Sequence, residues 1–361
     1  MKNKVKMKKI IENKRKELGI KIYELANKLA IDSSLMSRIL SGERMPTDKQ
    51  LLQLSQLLSI DYNDLIKEKL QLQIMSILGE YPEMAEDVLK ATEERISYLS
   101  SENKFEIIDT AEVDDALEEL TNLQTRWSNK KPLNPLQLEK MKEYFHTEYT
   151  YNSNKIEGNT LSFQETHLVV NEGITIGGKS VKEHLEVINH QEAIDLIIDF
   201  VSNKIDFNES VLKQIHQLIL KGIDKRGAGV YRTVPVMISG SLHNPPAPFL
   251  LDSLMEDYFR FYRLHKNKLH PVVLAAEMHE RLVSIHPFID GNGRTSRLVM
   301  NLILLQNGFT IVNLKGSLED RQQYYKSLEA VQVNHESRDF YNLIIERAKD
   351  SLEKHLNLAG V

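Results

Sequence analysis

Hydrophobic residues recur every three or four positions along most of the chain, which is the spacing of amphipathic helices. Several of these runs stop at a glycine, the residue that most readily adopts the left-handed conformation in which helices end. Gly19, Gly42 and Gly308 each follow such a run. Residues 230–241 have a β-like pattern instead, interrupted by a proline and a glycine. The pattern therefore predicts an all-α fold with one short β segment.

The first 69 residues are predicted to form five short helices. Asp32 or Ser33 caps the third of them, and Pro46 and Thr47 open the fourth. The predicted helices span residues 8–18, 22–29, 33–41, 48–58 and 61–70. Apolar residues fall where the core of a tight helix–turn–helix requires them, at Leu25, Ala26, Leu29, Ile31, Met36 and Ile39.

Two further regions follow this segment. Residues 70–112 are predicted to be an acidic, helical connector, and residues 113–361 a larger helical domain. Ser162 and Glu165 have the spacing of a capping box before a helix that begins near residue 163. Further helices are predicted over residues 184–202, 208–221, 250–265, 271–285 and 294–307.

The amino-acid composition indicates the cellular compartment in which the protein is expected to work. The chain of 361 residues has no cysteine, so it forms no disulfides or thiolate metal sites, which fits a reducing environment. There is no run of about 18 apolar residues, and the lysine-rich N-terminus has no apolar stretch suited to a signal peptide. We therefore expect a cytoplasmic protein with no membrane span.

The net charge of −5 is unevenly distributed along the chain. Residues 1–69 contain 15 Lys and Arg against 9 Asp and Glu, so this segment is basic and the remainder is acidic. The asymmetry predicts that only the N-terminal segment meets polyanions. A solubilising lysine-rich segment would have the same charge balance.

Residues 286–297 combine a glycine-rich turn with two arginines. Gly291 and Gly293 let the backbone turn sharply and present its N–H groups at the start of a predicted helix, which favours anion binding. Arg294 and Arg297 are three residues apart, so both side chains project from one helix face toward that anion. The segment therefore predicts a phosphate site.

Two other side chains of this segment add chemistry. Asp290 offers a hard oxygen ligand suited to Mg²⁺, which commonly bridges a carboxylate and phosphates. His286, with a reference pKa of about 6.5, is the natural general base near neutral pH. Each residue type alone is usually structural, but the combination predicts a catalytic site whose nucleophile comes from a second substrate.

The segment reads His-Pro-Phe-Ile-Asp-Gly-Asn-Gly-Arg-Thr-Ser-Arg, which resembles the Fic family signature at every defined position. The resemblance extends over roughly residues 113–350, and residues 229–246 resemble the family's β-hairpin flap. It implies a Fic helical fold with a small β-hairpin flap. It also implies transfer of AMP from ATP, with Mg²⁺ as cofactor, to a Ser, Thr or Tyr hydroxyl of a target protein or of the chain itself.

The resemblance also implies roles by position. His286 would deprotonate the target hydroxyl, Asp290 would hold Mg²⁺, and the flap would clamp the target segment by strand addition. Backbone N–H groups of the glycine-rich turn would stabilise the phosphate under attack, the two arginines would hold the outer phosphates, and two tyrosines would line the base pocket. The residues expected to bind ATP are Gly291, Asn292, Gly293, Arg294, Arg297, Tyr324 and Tyr325.

A second motif resembles the inhibitory motif of the same family. Ser153 and Glu157 are four residues apart, hence on one helix face, and Gly158 follows. The resemblance implies the class with an N-terminal inhibitory helix, here over about residues 140–158. A carboxylate paired with Arg297 removes a charge partner from the γ-phosphate, so Glu157 is expected to inhibit the enzyme.

Three alternatives stay open at this point. One is another Fic-type transfer, such as uridylyl, phosphoryl or phosphocholine transfer. Another is removal of AMP from a modified protein. The third is a DNA-binding regulator that uses its Fic domain only to sense nucleotides. The target protein and the oligomeric state, including a homodimer, also stay open.

Residues 5–69 resemble the helix–turn–helix of phage-repressor-like regulators. The matching stretch runs from Glu24 to Gly42, and Ala30 stands where that family usually has glycine. The resemblance implies DNA as a partner, with three serines and Arg38 facing the major groove and Arg44 and the N-terminal lysines on phosphates. The residues expected to contact DNA are Ser33, Ser34, Ser37, Arg38 and Arg44. A helix–turn–helix used only for protein contacts is the alternative.

Two other motifs are set aside. Residues 173–180 fit the P-loop pattern but follow a predicted helix rather than a buried strand, so we predict a turn between helices. His279 and Glu280, followed by His286, resemble a zinc helix, but Val283 stands where a zinc peptidase needs histidine. His279 is therefore expected to be a packed histidine. Structural roles are also expected for His184, His190 and His265.

Overall fold

The chain folds into two compact units, divided after Ser100. All regular elements that the structure describes are helices, with no strand among them, so the predicted all-α class is confirmed. Residues 101–107 and 109 of the predicted connector lie outside the described residues. The computed structural model describes residues 5–100, 108, 110–130 and 133–360.

The N-terminal unit contains six helices in its described part. They are α1 (Val5–Glu17), α2 (Ile22–Lys28), α3 (Ser33–Ser41), α4 (Asp48–Leu58), α5 (Tyr62–Leu78) and α6 (Ala85–Ser100). The first five correspond to the predicted helices, and α5 is longer than predicted because no glycine or proline interrupts it before Gly79. The predicted core residues are buried, except Ile31, which is half-buried beside them.

The second unit is a helical bundle around a continuous apolar core. Its helices are α7 (Asp114–Asn129), α8 (Pro135–Ile156), α9 (Phe163–Glu172), α10 (Val181–Ser202), α11 (Glu209–Ile219), α12 (Leu251–His265), α13 (Pro271–Ile285), α14 (Asn292–Gln306), α15 (Leu318–Asn334) and α16 (Arg338–Leu358). Helices α13 and α14 pack against each other at the centre, and α8, α10 and α11 flank α14. The loop between α13 and α14 therefore lies between tightly packed helices.

Capping residues set two of these boundaries as predicted. The Ser162 side chain accepts from the Glu165 amide and the Glu165 carboxylate accepts from the Ser162 amide, which forms the predicted capping box at the start of α9. The glycine-rich residues 173–180 form a turn between α9 and α10, as predicted. Gly173 ends α9 with a φ of 67°, and Ser180 caps α10.

The predicted β segment over residues 230–241 is not formed, and the expected β-hairpin flap is an irregular loop. Pro235 and Pro246 lack the N–H groups that a strand ladder needs. The Arg232 guanidinium also donates to the carbonyls of Val234 and Pro246, at 3.1 and 2.6 Å, so a side chain satisfies these backbone groups. We keep the name flap for residues 229–247.

Among the described residues, no helix has the length and apolar character that a bilayer crossing requires.

Ala30, in the turn between α2 and α3, has a φ of 53°. This is the left-handed region, which costs a residue with a Cβ about 1–2 kcal/mol. Glycine avoids that cost but loses about 0.4–1 kcal/mol through its greater freedom in the unfolded chain. Glycine is thus the better residue for this turn.

We predict that Ala30→Gly stabilises the N-terminal unit by about 0.5–1 kcal/mol, the difference between these two effects. Hydrogen exchange of the full chain, followed in peptides covering residues 22–41, should slow by about two- to fivefold. The control is Ala26→Gly, a buried site within α2 where glycine should accelerate exchange. Equal or faster exchange in Ala30→Gly would contradict the prediction.

Candidate active site

His286 lies directly after α13 and is its C-cap, with a φ of 50°. Its Nδ1 lies 3.2 Å from the carbonyl oxygen of Val283, which only accepts hydrogen bonds, so Nδ1 carries the proton. Burial lowers the pKa of His286, and Arg232 nearby acts in the same direction. Near neutral pH the ring is therefore neutral, with the lone pair at Nε2 available to accept a proton.

The loop that follows is closed by Asn292. Its Oδ1 accepts from the Phe288 amide at 3.0 Å, and its Nδ2 donates to the Phe288 carbonyl at 2.9 Å. Gly291 has a φ of 79° and precedes α14 without any side-chain cap. The first N–H groups of α14 have no intrahelical acceptor and no capping side chain, which is the arrangement that suits a bound anion.

Asp290 lies on this loop with about half of its side chain exposed. Its Oδ1 accepts from the Gly291 amide at 2.6 Å and lies 3.4 Å from Nη2 of Arg294. The carboxylate is thus fixed at the rim of the turn. Within the described residues, no cluster of three or more His, Asp or Glu side chains could hold a metal by itself.

Arg294 is almost fully buried, with 3% of its side chain exposed. It lies between two carboxylates, because Nη1 is 3.5 Å from Oε1 of Glu186 and Nη2 is 3.4 Å from Asp290. Its Nε and Nη1 atoms have no hydrogen-bond acceptor in the described part of the chain. A buried guanidinium with unused N–H donors can donate hydrogen bonds to the oxygens of a bound ligand.

Arg297 is 1% exposed, and its donors are occupied by the end of α8. Nε donates to the Ser153 hydroxyl at 3.0 Å, and Nη2 donates to the Ser153 carbonyl at 2.9 Å and to Oε1 of Glu157 at 2.6 Å. Burial opposes its charge, but the Glu157 carboxylate, together with Tyr324 and Tyr149, more than offsets burial and raises the pKa of Arg297. The guanidinium therefore stays charged.

Glu157 also occupies the space in front of the glycine-rich turn. A Cβ atom added to Gly293 would lie 2.3 Å from its Oε1 and 3.2 Å from Nη1 of Arg297. Gly158 has a φ of 94°, so the chain turns sharply away from α8 directly after the carboxylate. The structure thus brings Ser153, Glu157 and Gly158 to the same cleft as the turn.

The two tyrosines of α15 lie beside this cleft. Tyr324 is buried and its hydroxyl is 3.0 Å from Nε2 of His279, so the latter is a packed histidine as expected. Tyr325 is 46% exposed, and its hydroxyl donates to the carbonyl of Ile156 at 3.2 Å. At least one ring nitrogen of each of three other histidines is hydrogen-bonded to a backbone or hydroxyl group, namely in His184, His190 and His265.

Three residues that were not predicted from the sequence support this site. Glu186 faces Arg294, as described above. Arg232 donates from Nε to the His286 carbonyl at 2.8 Å, and its own amide donates to the Pro287 carbonyl at 2.9 Å. His216 of α11 lies against the loop, with Nε2 2.8 Å from the Asp290 carbonyl. None of them stands within the 286–297 motif, and only the folded chain brings them to it.

The residues expected to contact DNA lie in the N-terminal unit. Ser33, Ser34, Ser37 and Arg38 are exposed on α3, and Arg44 is exposed in the loop after it. The opposite face of α3 is buried through Met36, Ile39 and Leu40. Helix α3 begins at the Asp32 cap, whose Oδ1 accepts from the Leu35 amide at 2.7 Å.

Comparisons with known proteins find similar sequences and folds. Residues 206–304 match the Fic/DOC family. A protein adenylyltransferase Fic from Drosophila yakuba is 33% identical over 253 residues, which cover 68% of this chain and 50% of the relative. One from Nematostella vectensis is 35% identical over 232 residues, which cover 62% of this chain and 52% of the relative. The chain thus spans about half the length of these curated relatives.

Solved structures give the same result for the fold. A Fic domain containing signaling protein from Bacteroides thetaiotaomicron is 29% identical, with a TM-score of 0.60, over 68% of this chain and 97% of the other. Fic-1 from C. elegans, at 24% identity and a TM-score of 0.61 over 92% of this chain and 94% of the other, shares the fold. The loop and the helices around His286, within residues 206–304, therefore match the Fic/DOC family and share the fold of these solved structures.

Proposed function

We propose that this protein is an autoinhibited protein adenylyltransferase. It moves AMP from ATP onto a Ser, Thr or Tyr hydroxyl of a target protein or of itself. The observation that carries the proposal is the Glu157 carboxylate, which lies between Arg297 and the backbone of Gly293 at the mouth of the anion site. The relatives named protein adenylyltransferase Fic support the reaction type.

The chemical step needs one base and one anion site. The hydroxyl oxygen attacks the α-phosphorus and forms a new O–P bond, while the bond from that phosphorus to the oxygen bridging the β-phosphate breaks. Pyrophosphate leaves with the electron pair, and the hydroxyl proton passes to Nε2 of His286. The tautomer fixed by Val283 supports this role, because it leaves Nε2 free to accept.

The anion site takes the phosphates. N–H groups of Gly291, Asn292 and Gly293 stabilise charge on the phosphate under attack. Arg294 uses its unbonded donors for an outer phosphate, and Arg297 does so once Glu157 has left. Water is excluded from this interaction because both arginine side chains are buried, which strengthens each contact.

The site offers Mg²⁺ a single carboxylate, so the ion would need phosphate oxygens of the nucleotide as further ligands. Asp290 supplies one half-exposed carboxylate, and Mg²⁺ is usually held by one or two carboxylates together with substrate phosphates. We therefore propose that Asp290 holds the ion only when the nucleotide is bound. The ion would neutralise phosphate charge, while Asp290, positioned by the Gly291 amide and Arg294, orients it.

The remaining contacts select the two substrates. Tyr324 and Tyr325, on α15, line the space for the base, and the exposed Tyr325 ring offers it a stacking surface. The flap receives the target segment beside His286. Exposed Met237 and Leu242 on the flap give that segment apolar contacts.

Inhibition follows from competition for Arg297. In the free protein its guanidinium is neutralised by Glu157, so a γ-phosphate finds no free cation there and meets a carboxylate instead. ATP then binds in an unproductive pose. A signal that moves the end of α8 away from Arg297 would release the enzyme.

Replacing Glu157 by glycine should activate the enzyme. Hydrogen bonds to charged groups contribute about 1.5–3 kcal/mol, so auto-adenylylation with ATP and Mg²⁺ should rise about 10- to 100-fold in Glu157→Gly. Incorporation of label from α-labelled ATP measures it. The matched control is Glu172→Gly, a glutamate at the end of α9, which should leave incorporation unchanged. No rise in Glu157→Gly would contradict the inhibition.

Removing the base should stop transfer without unfolding the domain. We expect His286→Ala, made in the Glu157→Gly background, to lower the rate of incorporation by about 100- to 10,000-fold. Asparagine tolerates a positive φ better than alanine, so His286→Asn separates strain from chemistry. Both variants should bind ATP with unchanged affinity in calorimetry. Activity within tenfold of the parent would remove His286 from the role of base.

The alternative activities differ in the nucleotide used and in whether a group is added to the target protein or removed from it. Incubating Glu157→Gly with labelled ATP, UTP, GTP and a CDP-choline probe identifies the group that is transferred. Incubating the unmodified sequence with an adenylylated protein tests AMP removal, in which Glu157 would orient the attacking water. If nucleotide binds but none of these incubations shows transfer or removal of a group, a regulator that only senses nucleotides would be favoured.

We further propose that the N-terminal unit, with residues 1–69 as its helix–turn–helix domain, binds DNA. Its basic charge and the exposed polar face of α3 support this proposal. Serine and arginine side chains on that face can hydrogen-bond base edges in the major groove and the phosphates that flank it. Residues 70–112 would connect it to the catalytic domain over residues 113–361.

Binding to a random-sequence DNA duplex should depend on Arg38 and Arg44. Each change to alanine should lower affinity and reduce the slope of log K against log salt by about 1, because one cation that displaces counterions from the DNA is lost. A salt titration by fluorescence anisotropy measures the slope. The control is Arg126→Ala, an exposed arginine on α7 of the other unit. An unchanged slope, or no binding at low salt, would contradict the proposal.

A further inference from the structure

His216 lies on α11, outside every motif of the sequence, and none of its surface is exposed. Its ring is inserted between the start of the flap and the loop that follows His286. The Gly229 amide lies on one side of the ring and the Asp290 carbonyl on the other, each 2.8 Å from a ring nitrogen. One side chain thus connects two segments that are far apart in sequence.

The two hydrogen bonds fix the tautomer of this ring. The Gly229 amide donates to Nδ1, so Nδ1 has no proton. Nε2 therefore carries the proton and donates to the carbonyl of Asp290, which only accepts. A neutral imidazole satisfies both partners at once, and no other uncharged side chain offers an acceptor and a donor at these two positions.

Packing on the ring is equally close. The Phe288 ring stacks on it with centroids 3.6 Å apart and planes 7° apart. A Cβ atom added to Gly291 would lie 3.3 Å from Nε2, tighter than ordinary contact, so the loop backbone lies directly against the imidazole. Asn292 in turn holds the backbone of Phe288 from the other side. The loop is therefore clamped between His216 and Asn292.

We propose that His216 is a positioning residue for the transfer reaction, which rests on the proposed adenylyltransferase function. Through Asp290 and Phe288 it holds the glycine-rich turn in one fixed geometry beside His286, which supports kcat, and through Gly229 it holds the start of the flap. A displacement of about 1 Å in such a support costs a reaction about 100-fold.

Two variants separate the two connections. In His216→Asn the side-chain oxygen takes the place of Nδ1 and keeps the bond to Gly229. The asparagine side chain is too short to reach Asp290 as well. In His216→Gln the terminal amide takes the place of Nε2 and keeps the bond to Asp290, but not the one to Gly229. His216→Phe keeps the stacked ring and loses both hydrogen bonds.

Hydrogen exchange tests the geometry without any need for activity. Peptides covering residues 287–293 should stay protected in His216→Gln and exchange at least about tenfold faster in His216→Asn. Peptides covering residues 227–233 should show the reverse. His216→Phe should lose protection in both. The control is His355→Phe, another buried histidine stacked on a phenylalanine, at 3.7 Å from Phe145, outside the site.

Kinetics then test the catalytic consequence in the Glu157→Gly background. We expect kcat to fall about 10- to 100-fold in His216→Phe and in His216→Asn, which lose the bond to Asp290. His216→Gln should recover kcat to within about threefold of the parent, and His355→Phe should match the parent. If Glu157→Gly itself shows no transfer, the proposed function fails while the exchange pattern still decides the geometry.

Two results would overturn the inference. One is the same exchange in both peptides for the asparagine and glutamine variants, which would mean that His216 only fills space. The other is a kcat in His216→Phe within threefold of the parent at a temperature below unfolding. A loss that glutamine does not rescue would likewise contradict the role assigned to the Asp290 bond.

Discussion

Two buried guanidinium groups impose the constraint on which the rest of the second unit depends. Arg294 and Arg297 project from α14 into the core, and a buried cation is tolerated only with a partner of opposite charge. In the free protein these partners are the chain's own carboxylates, Glu186 and Asp290 for one arginine and Glu157 for the other. A triphosphate that enters the cleft must replace or share them.

The scaffold around this constraint is built to hold one geometry. Helices α13 and α14 enclose the loop, Arg232 connects it to the flap through the His286 carbonyl, and Asn292 closes it. The Glu157 contact comes from the C-cap of α8, where Gly158 lets the chain turn away and where local opening is easiest. In the proposed function, regulation would therefore act most simply on the end of α8, while the loop after His286 stays fixed.

Most helices and the glycine-rich turn after His286 were predicted from the sequence, because capping residues and glycines act locally. The capping box of Ser162 and the turn at residues 173–180 depend only on neighbours within a few positions. The flap was predicted wrongly as β structure, since its carbonyls are bonded to the Arg232 side chain rather than to a strand. Glu186 and His216 could not be predicted from the sequence, because their partners in the 286–297 motif, Arg294 and Asp290, are more than 70 residues away from them.

The most direct measurement compares ADP and ATP binding by calorimetry in the unmodified sequence and in Glu157→Gly. With Glu157 on Arg297, the γ-phosphate gains no cation, so both nucleotides should bind with nearly equal affinity. Once Arg297 is free, ATP should bind at least about tenfold more tightly than ADP, which corresponds to about 1.4 kcal/mol. The same ratio of affinities in both proteins would contradict competition between Glu157 and the triphosphate.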